Sequence, residues 1–265
     1  MVETQVIKWE DAKTLLVNDI RFFVTFDPNE LLDIQSSEDH FLLGKAPPMV
    51  ERSIAMGKAR RINKVFEIGI FKGGSVVLYD QIFQPQKIAA VDLSKEPVKA
   101  LSDYIVKRGK QDRVRPYYGV DQGDRAAMER IMSSEFPNRD IDLIVDDASH
   151  LYEQTRTAFN VAFPYLAVGG NYVIEDWAWA HWAGPQWQIR PWQFWKRPPF
   201  NGGRALSNLL IELFMLTASR PDLIEDILVT HNLIVVTRGK GELPAGDFDI
   251  GDHYLMRGKR FGAWL

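Results

Sequence analysis

The chain has 265 residues, 46% of them hydrophobic and 25% charged, which supports a full core in one large domain or in one domain with additions. A net charge of −3 leaves no basic footprint for nucleic acid or for an anionic membrane surface. The absence of cysteine excludes disulfides, thiolate catalysis and cysteine-ligated zinc, and it fits a reducing, cytoplasmic setting.

The opening residues carry acids and no long apolar run, so a signal peptide is not expected, and no stretch reaches the ~20 apolar residues of a membrane span. Residues 1–60 read as a helical cap or oligomerisation region. Apolar residues at roughly helical spacing (Leu15, Leu16, Ile20, Phe23) predict a helix over 12–26, closed by Asp27-Pro28. Pro47-Pro48 opens a second helix over 49–60.

From residue 61 to about 240 strands and helices alternate. Strands are expected at 65–68, 87–91, 114–119, 141–145 and 171–174. Helices are expected at 76–83, 97–108, 125–135 and 151–166, the last stopped by Gly169-Gly170. This alternation predicts an α/β fold, a doubly wound, Rossmann-like sheet with helices on both faces. The pattern breaks at 177–200, a lid-like insertion holding six of the eight tryptophans: Trp177, Trp179, Trp182, Trp187, Trp192 and Trp195. A helix over 204–219 resumes it. Two runs, 226–230 and 233–237, flank His231-Asn232 as a C-terminal antiparallel hairpin, which completes seven strands. Residues 241–265 form a tail.

In such sheets ligands sit beyond the carboxyl ends of the strands. Five successive expected strands end on acids: Glu67, Asp92, Asp121, Asp146-Asp147 and Glu175-Asp176. Any one alone could be a helix cap or a loop acid. The first strand runs into Gly69, Gly73, Gly74 and Ser75 ahead of a helix N-terminus, where a ligand can approach the backbone closely. Asp92, at the end of the second strand, is placed for ribose hydroxyls. The glycine spacing is not that of a dinucleotide fingerprint, so a nucleoside cofactor without pyrophosphate ranks above NAD.

These motifs resemble the class I S-adenosylmethionine-dependent methyltransferases over about residues 60–240. The resemblance implies Glu67, Gly69 and Ser75 along the methionine end of the cofactor, Asp92 on its ribose, Asp121 and Gln122 by its adenine, and Asp146 near its amino-acid part. A narrower likeness lies in VDDASHLYEQT, residues 145–155, and VIEDW, residues 173–177. It is similar to the metal-dependent sugar O-methyltransferases of macrolide, rhamnosyl and other saccharide substrates. That likeness implies Mg²⁺ on Asp147, Glu175 and Asp176, with His150 as general base.

Charge balance agrees with that implication. Carboxylates on adjacent strand ends repel unless a cation offsets them, and Mg²⁺ prefers oxygen ligands with positions left for water or substrate. Imidazole titrates near working pH and suits the base. Trp177 and Trp179, with His181, are candidates for contacting a sugar or oligosaccharide acceptor, although the tryptophans could instead pack as a satellite core. The alternatives are a catechol or small-polyol acceptor, a non-catalytic nucleoside-binding protein, and an NAD-dependent oxidoreductase. The expected partners are a small-molecule acceptor and further copies of the chain, with neither nucleic acid nor membrane.

Overall fold

The structure, a computed structural model, describes residues 5–188, 203–243 and 248–260. By its internal contacts the chain divides into two compact units, Met1–Gly119 and Val120–Leu265. Seven strands form one sheet in the order β10-β11-β9-β8-β5-β6-β7, the α/β arrangement with a terminal hairpin expected above. Among the described residues no helix is long and apolar enough to cross a membrane.

The first unit opens with a four-stranded sheet, β1 (Ile7–Trp9), β2 (Thr14–Val17), β3 (Ile20–Val24) and β4 (His40–Leu43), in sequential order. The helix expected over 12–26 is therefore a β-hairpin. Leu15, Val17, Ile20, Phe22 and Val24 are all buried and alternate with a period of two within each strand, which is the strand period rather than the helical one. Asn18 turns the chain at φ +56°, a left-handed conformation that asparagine tolerates. Asp27-Pro28 does not end a helix but begins one, α1 (Pro28–Asp33). The Asp27 carboxylate accepts the N–H groups of Asn29 and Glu30, and Pro28 takes the first helical turn, where a missing N–H costs nothing. Helix α2 (Pro47–Ala59) starts at the proline pair as expected.

Three parallel strands follow, β5 (Lys64–Ile68), β6 (Lys87–Asp92) and β7 (Val114–Tyr118), with α3 (Gly74–Phe83) and α4 (Lys99–Lys107) between them. The β5–α3 loop is tied to its surroundings by Lys72. Its ammonium donates to the carbonyls of Leu31, Leu32 and Ile34 at the C-terminal end of α1, where a cation complements the helix dipole.

The second unit holds α5 (Arg125–Glu135), β8 (Ile141–Asp146), α6 (Tyr152–Ala162), β9 (Leu166–Glu175), α7 (Ser207–Ser219), β10 (Ile224–Val229) and β11 (Leu233–Arg238). A short β12 (Leu255–Met256) pairs with β13 (Lys259–Arg260). β9 runs parallel to β8 and antiparallel to β11, which pairs antiparallel with β10. The helix expected over 151–166 ends at Ala162, because Pro164 cannot continue it and the chain tightens into a 3₁₀ turn over Phe163–Tyr165. Gly169-Gly170 is not a helix stop but lies inside β9. The β8–β9 register shifts there, and a Cβ on Gly170 would lie 2.9 Å from the Ile141 carbonyl oxygen. The tryptophan-rich segment forms 3₁₀ turns at Trp179–His181 and Pro185–Gln188. Trp192 and Trp195 fall outside the described residues.

Candidate active site

In the first unit the glycine loop wraps on Asp92. One carboxylate oxygen, Oδ2, accepts the N–H groups of Ile70 at 2.8 Å and Phe71 at 2.9 Å, and Oδ1 accepts that of Ser94 at 2.7 Å. The acid at the end of β6 thereby fixes the loop leaving β5. Oδ1 accepts the Ser94 N–H on one lone pair, and a carboxylate oxygen has a second with which to accept a hydroxyl. Gly69 and Gly73 take φ of +102° and +82°, conformations that a side chain would strain. Gly74 serves packing: a Cβ there would lie 2.0 Å from the Leu42 carbonyl oxygen. Glu67 is fully buried on β5, and Ser75 is buried in the first turn of α3.

In the second unit three side chains converge at the carboxyl ends of β8 and β9. Ligand atoms of Asp147, His150 and Asp176 all lie within 4.8 Å of one another. His150 Nε2 is 3.9 Å from Asp147 Oδ1, and both side chains are mostly buried, at 12% and 22% exposure. The His150 and Trp179 rings meet in a T-shaped pair, with centroids 4.9 Å apart and planes at 71°. Both His150 and Asp176 are left-handed, at φ +53° and +52°. Strained non-glycine backbone of this kind concentrates where the surroundings over-determine it. Glu175, the last residue of β9, is buried and is not one of the three that converge.

Behind this cluster sits a buried hydrogen-bonded layer. Gln122 donates from Nε2 to Asp146 Oδ1 at 3.2 Å and accepts the Ser149 N–H at 2.9 Å, so one side chain ties the end of β8 to the loop carrying Asp147 and His150. Tyr172 donates to Asp146 Oδ2 at 3.0 Å. Burial pushes the Asp146 carboxyl up to about 7, against the two hydrogen bonds that favour its charge. Asp121 is exposed and accepts the Gly123 N–H at 2.7 Å.

The tryptophans expected at the acceptor divide. Trp179 lies against His150. Trp177 donates its indole N–H to the Thr230 carbonyl at 2.9 Å. His181 is exposed, and its Nε2 is 2.9 Å from Ser207 Oγ. The sequence marks a turn at His231-Asn232 but not its part in this site, where the Thr230 and Asn232 carbonyls hold Trp177 and Asp176. Backbone carbonyls leave no signature in residue types, so the pattern of side chains had no means of showing it.

Residues 66–177 match the family model described as a methyltransferase domain. Over 136 residues the chain is 32% identical to mycinamicin VI 2''-O-methyltransferase of Micromonospora griseorubida, which is 48% of this chain and 30% of that protein. It is 30% identical over 128 residues to demethylmacrocin O-methyltransferase of Streptomyces fradiae, 46% of this chain and 29% of that one. Among solved structures it is similar to the MycE methyltransferase of mycinamycin biosynthesis, solved with Mg and SAH. The TM-score is 0.51 at 25% identity, over 75% of this chain and 51% of MycE. The chain thus spans less than a third of the two curated relatives' length. The sheet order and this likeness together give the Rossmann-like methyltransferase fold.

Proposed function

We propose that this chain transfers a methyl group from S-adenosylmethionine to a hydroxyl of a sugar or saccharide, using Mg²⁺ and His150. The observation that carries the reading is the convergence of Asp147, His150 and Asp176 at the ends of β8 and β9, within and beside the stretch matched to a methyltransferase domain. The relatives named for sugar-bearing substrates, and MycE solved with Mg and SAH, support the choice of acceptor and cofactors.

The residues present fit both groups. Asp147 and Asp176 bring carboxylate oxygens within 4.8 Å of each other, hard donors suited to Mg²⁺, and Glu175 adjoins Asp176 in the chain as the third proposed ligand. When bound, the cation would lower the pKa of an acceptor hydroxyl. When bound, the donor supplies an electrophilic methyl on a sulfonium. Gly69, Ser75 and Glu67 would line its methionine end, Asp92 would take the ribose, and Asp121, Gln122 and Asp146 would serve the adenine and amino-acid ends. His150 receives the acceptor's proton at Nε2, the ring nitrogen facing Asp147, as general base. Trp179 packs against that ring in a T-shaped pair and would offer apolar surface to a sugar. Holding oxygen and methyl in line supplies much of the acceleration.

We also place the chain in the cytoplasm, on its cysteine-free composition, and propose that it forms a homo-oligomer. Light scattering on the purified chain tests the oligomer. The function is tested by calorimetric titration with S-adenosylmethionine, followed by methyl transfer to a panel of mono- and oligosaccharides with Mg²⁺ or with EDTA. Cofactor binding and EDTA-sensitive transfer are expected. No cofactor binding would sink the whole reading, and transfer that survives EDTA would sink the metal. Transfer to catechols but not to saccharides would replace the acceptor.

A further inference from the structure

The β10–β11 turn joins the segment that follows β9 at three successive residues. The Asn232 carbonyl accepts the backbone N–H of Asp176 at 2.8 Å. The Thr230 carbonyl accepts the indole N–H of Trp177 at 2.9 Å. The His231 ring stacks on Trp182, with centroids 6.4 Å apart and planes at 26°. The β9–β11 ladder pairs Glu175 with Leu233, so Asp176 stands one residue past it. There the backbone turns left-handed at φ +52°, and the Asp176 carbonyl accepts the Trp179 N–H at 2.9 Å. An L-residue in this conformation costs about 1–2 kcal/mol over the right-handed one, less for aspartate than for most. It persists where neighbouring bonds hold it.

We propose that Trp177 is a positioning residue: its indole N–H, fixed on the Thr230 carbonyl, holds Asp176 in the left-handed turn that presents its carboxylate to the cation. The inference rests on the metal reading given above and extends the site to the hairpin turn. The indole's one polar atom is committed to the protein's own backbone, so the ring is oriented by the turn and not by an acceptor. The Asn232 carbonyl acts on Asp176 from the other side of the same turn. The Asn232 carbonyl holds the N–H before the Asp176 α-carbon and the Trp179 N–H holds the carbonyl after it, while the indole bond anchors the next side chain, and together they set where the carboxylate points.

Trp177→Phe keeps the ring and removes the N–H. Mn²⁺, a paramagnetic probe for the Mg²⁺ site, is titrated into the wild-type chain and the variant and followed by electron paramagnetic resonance. The variant is expected to bind Mn²⁺ about tenfold more weakly, the usual scale for losing a group that orients a ligand, with unchanged S-adenosylmethionine affinity. A second protein carries β-(3-benzothienyl)alanine in place of Trp177, which exchanges the indole N–H for sulfur at nearly unchanged shape, gives the same loss, and decides the matter if Trp177→Phe does not fold. Wild-type chain that binds no Mn²⁺ overturns the metal reading itself. Wild-type chain that binds Mn²⁺, with variants that bind it equally well, overturns the role of Trp177. A raised KM for the acceptor at unchanged Mn²⁺ affinity also overturns it and assigns the ring to acceptor binding.

Discussion

His150 Nε2 faces Asp147 Oδ1 across 3.9 Å, a gap longer than a hydrogen bond. Both side chains belong to the set that converges with Asp176, and Trp179 packs against the imidazole with ring centroids 4.9 Å apart. His150→Ala is expected to leave S-adenosylmethionine affinity within about twofold and to lower kcat by at least about 100-fold, the lower end for loss of a general base. Calorimetry and turnover on the same preparation check this. A large loss of cofactor affinity would make the histidine structural.

Asp176 separates charge from conformation. Asparagine tolerates the left-handed region nearly as well as aspartate, whereas alanine does not. Asp176→Asn is expected to retain the melting temperature while Mn²⁺ binding weakens at least about tenfold. Asp176→Ala should lose both. If Asp176→Asn binds Mn²⁺ normally, the carboxylate is not a ligand.

Asp92 holds the glycine loop through the N–H groups of Ile70 and Phe71, and its other oxygen accepts that of Ser94. An amide in its place turns an NH₂ toward one set of those donors. Asp92→Asn is therefore expected to destabilise the unliganded chain by about 1–3 kcal/mol, read as a lower urea midpoint, and to weaken S-adenosylmethionine binding as well. An unchanged midpoint would show that the carboxylate does not organise the loop.

Two glycines should respond differently to alanine. At Gly74 the new Cβ meets the Leu42 carbonyl oxygen at 2.0 Å, so backbone must move. Gly169 faces open space and suffers only from its φ of +75°. Gly74→Ala is expected to cost about 3 kcal/mol or more, as overpacking does at its upper end, and Gly169→Ala about 1–2 kcal/mol, the left-handed penalty alone. Equal denaturation midpoints would contradict the close approach.

The C-terminal tail should loosen in acid. Burial and the nearby Arg220 hold the His253 imidazole below its usual range, where its ring stacks on Phe248. At Asp249 burial opposes the charge, but the Arg156 guanidinium and the Gly251 N–H outweigh it and hold the carboxyl below its usual range. Both folded pKa values are depressed, so the unfolded chain binds more protons and stability falls as pH falls. The histidine contribution is lost from the unfolded value of about 6.5 downward, and the carboxylate contribution below about 4. From pH 8 to 5 the Asp146 carboxyl, raised to about 7 by burial, works in the opposite sense in both proteins, so the urea midpoint of the wild-type chain should fall relative to that of His253→Gln. Parallel slopes would remove the histidine from this account.

The sequence by itself determined the alternation of strands and helices from Lys64 to Glu175 and the terminal hairpin, because apolar runs bounded by glycine and acid record local geometry. It also placed Asp147, His150 and Asp176 at strand ends, and the structure brings those three together. It did not determine the N-terminal sheet, where Leu15-Leu16 and Ile20 satisfy a helical spacing as well as a strand one. Pairing of β2 with β3 decided between them. Nor did it determine that Glu175 stays out of the converging set, that Gln122 braces the Asp146–Ser149 loop, or that Trp177 is turned toward the Thr230 carbonyl. Those outcomes depend on backbone groups brought from distant parts of the chain. Residue types record which side chains are available, but the positions of carbonyl and N–H groups exist only once the strands have paired.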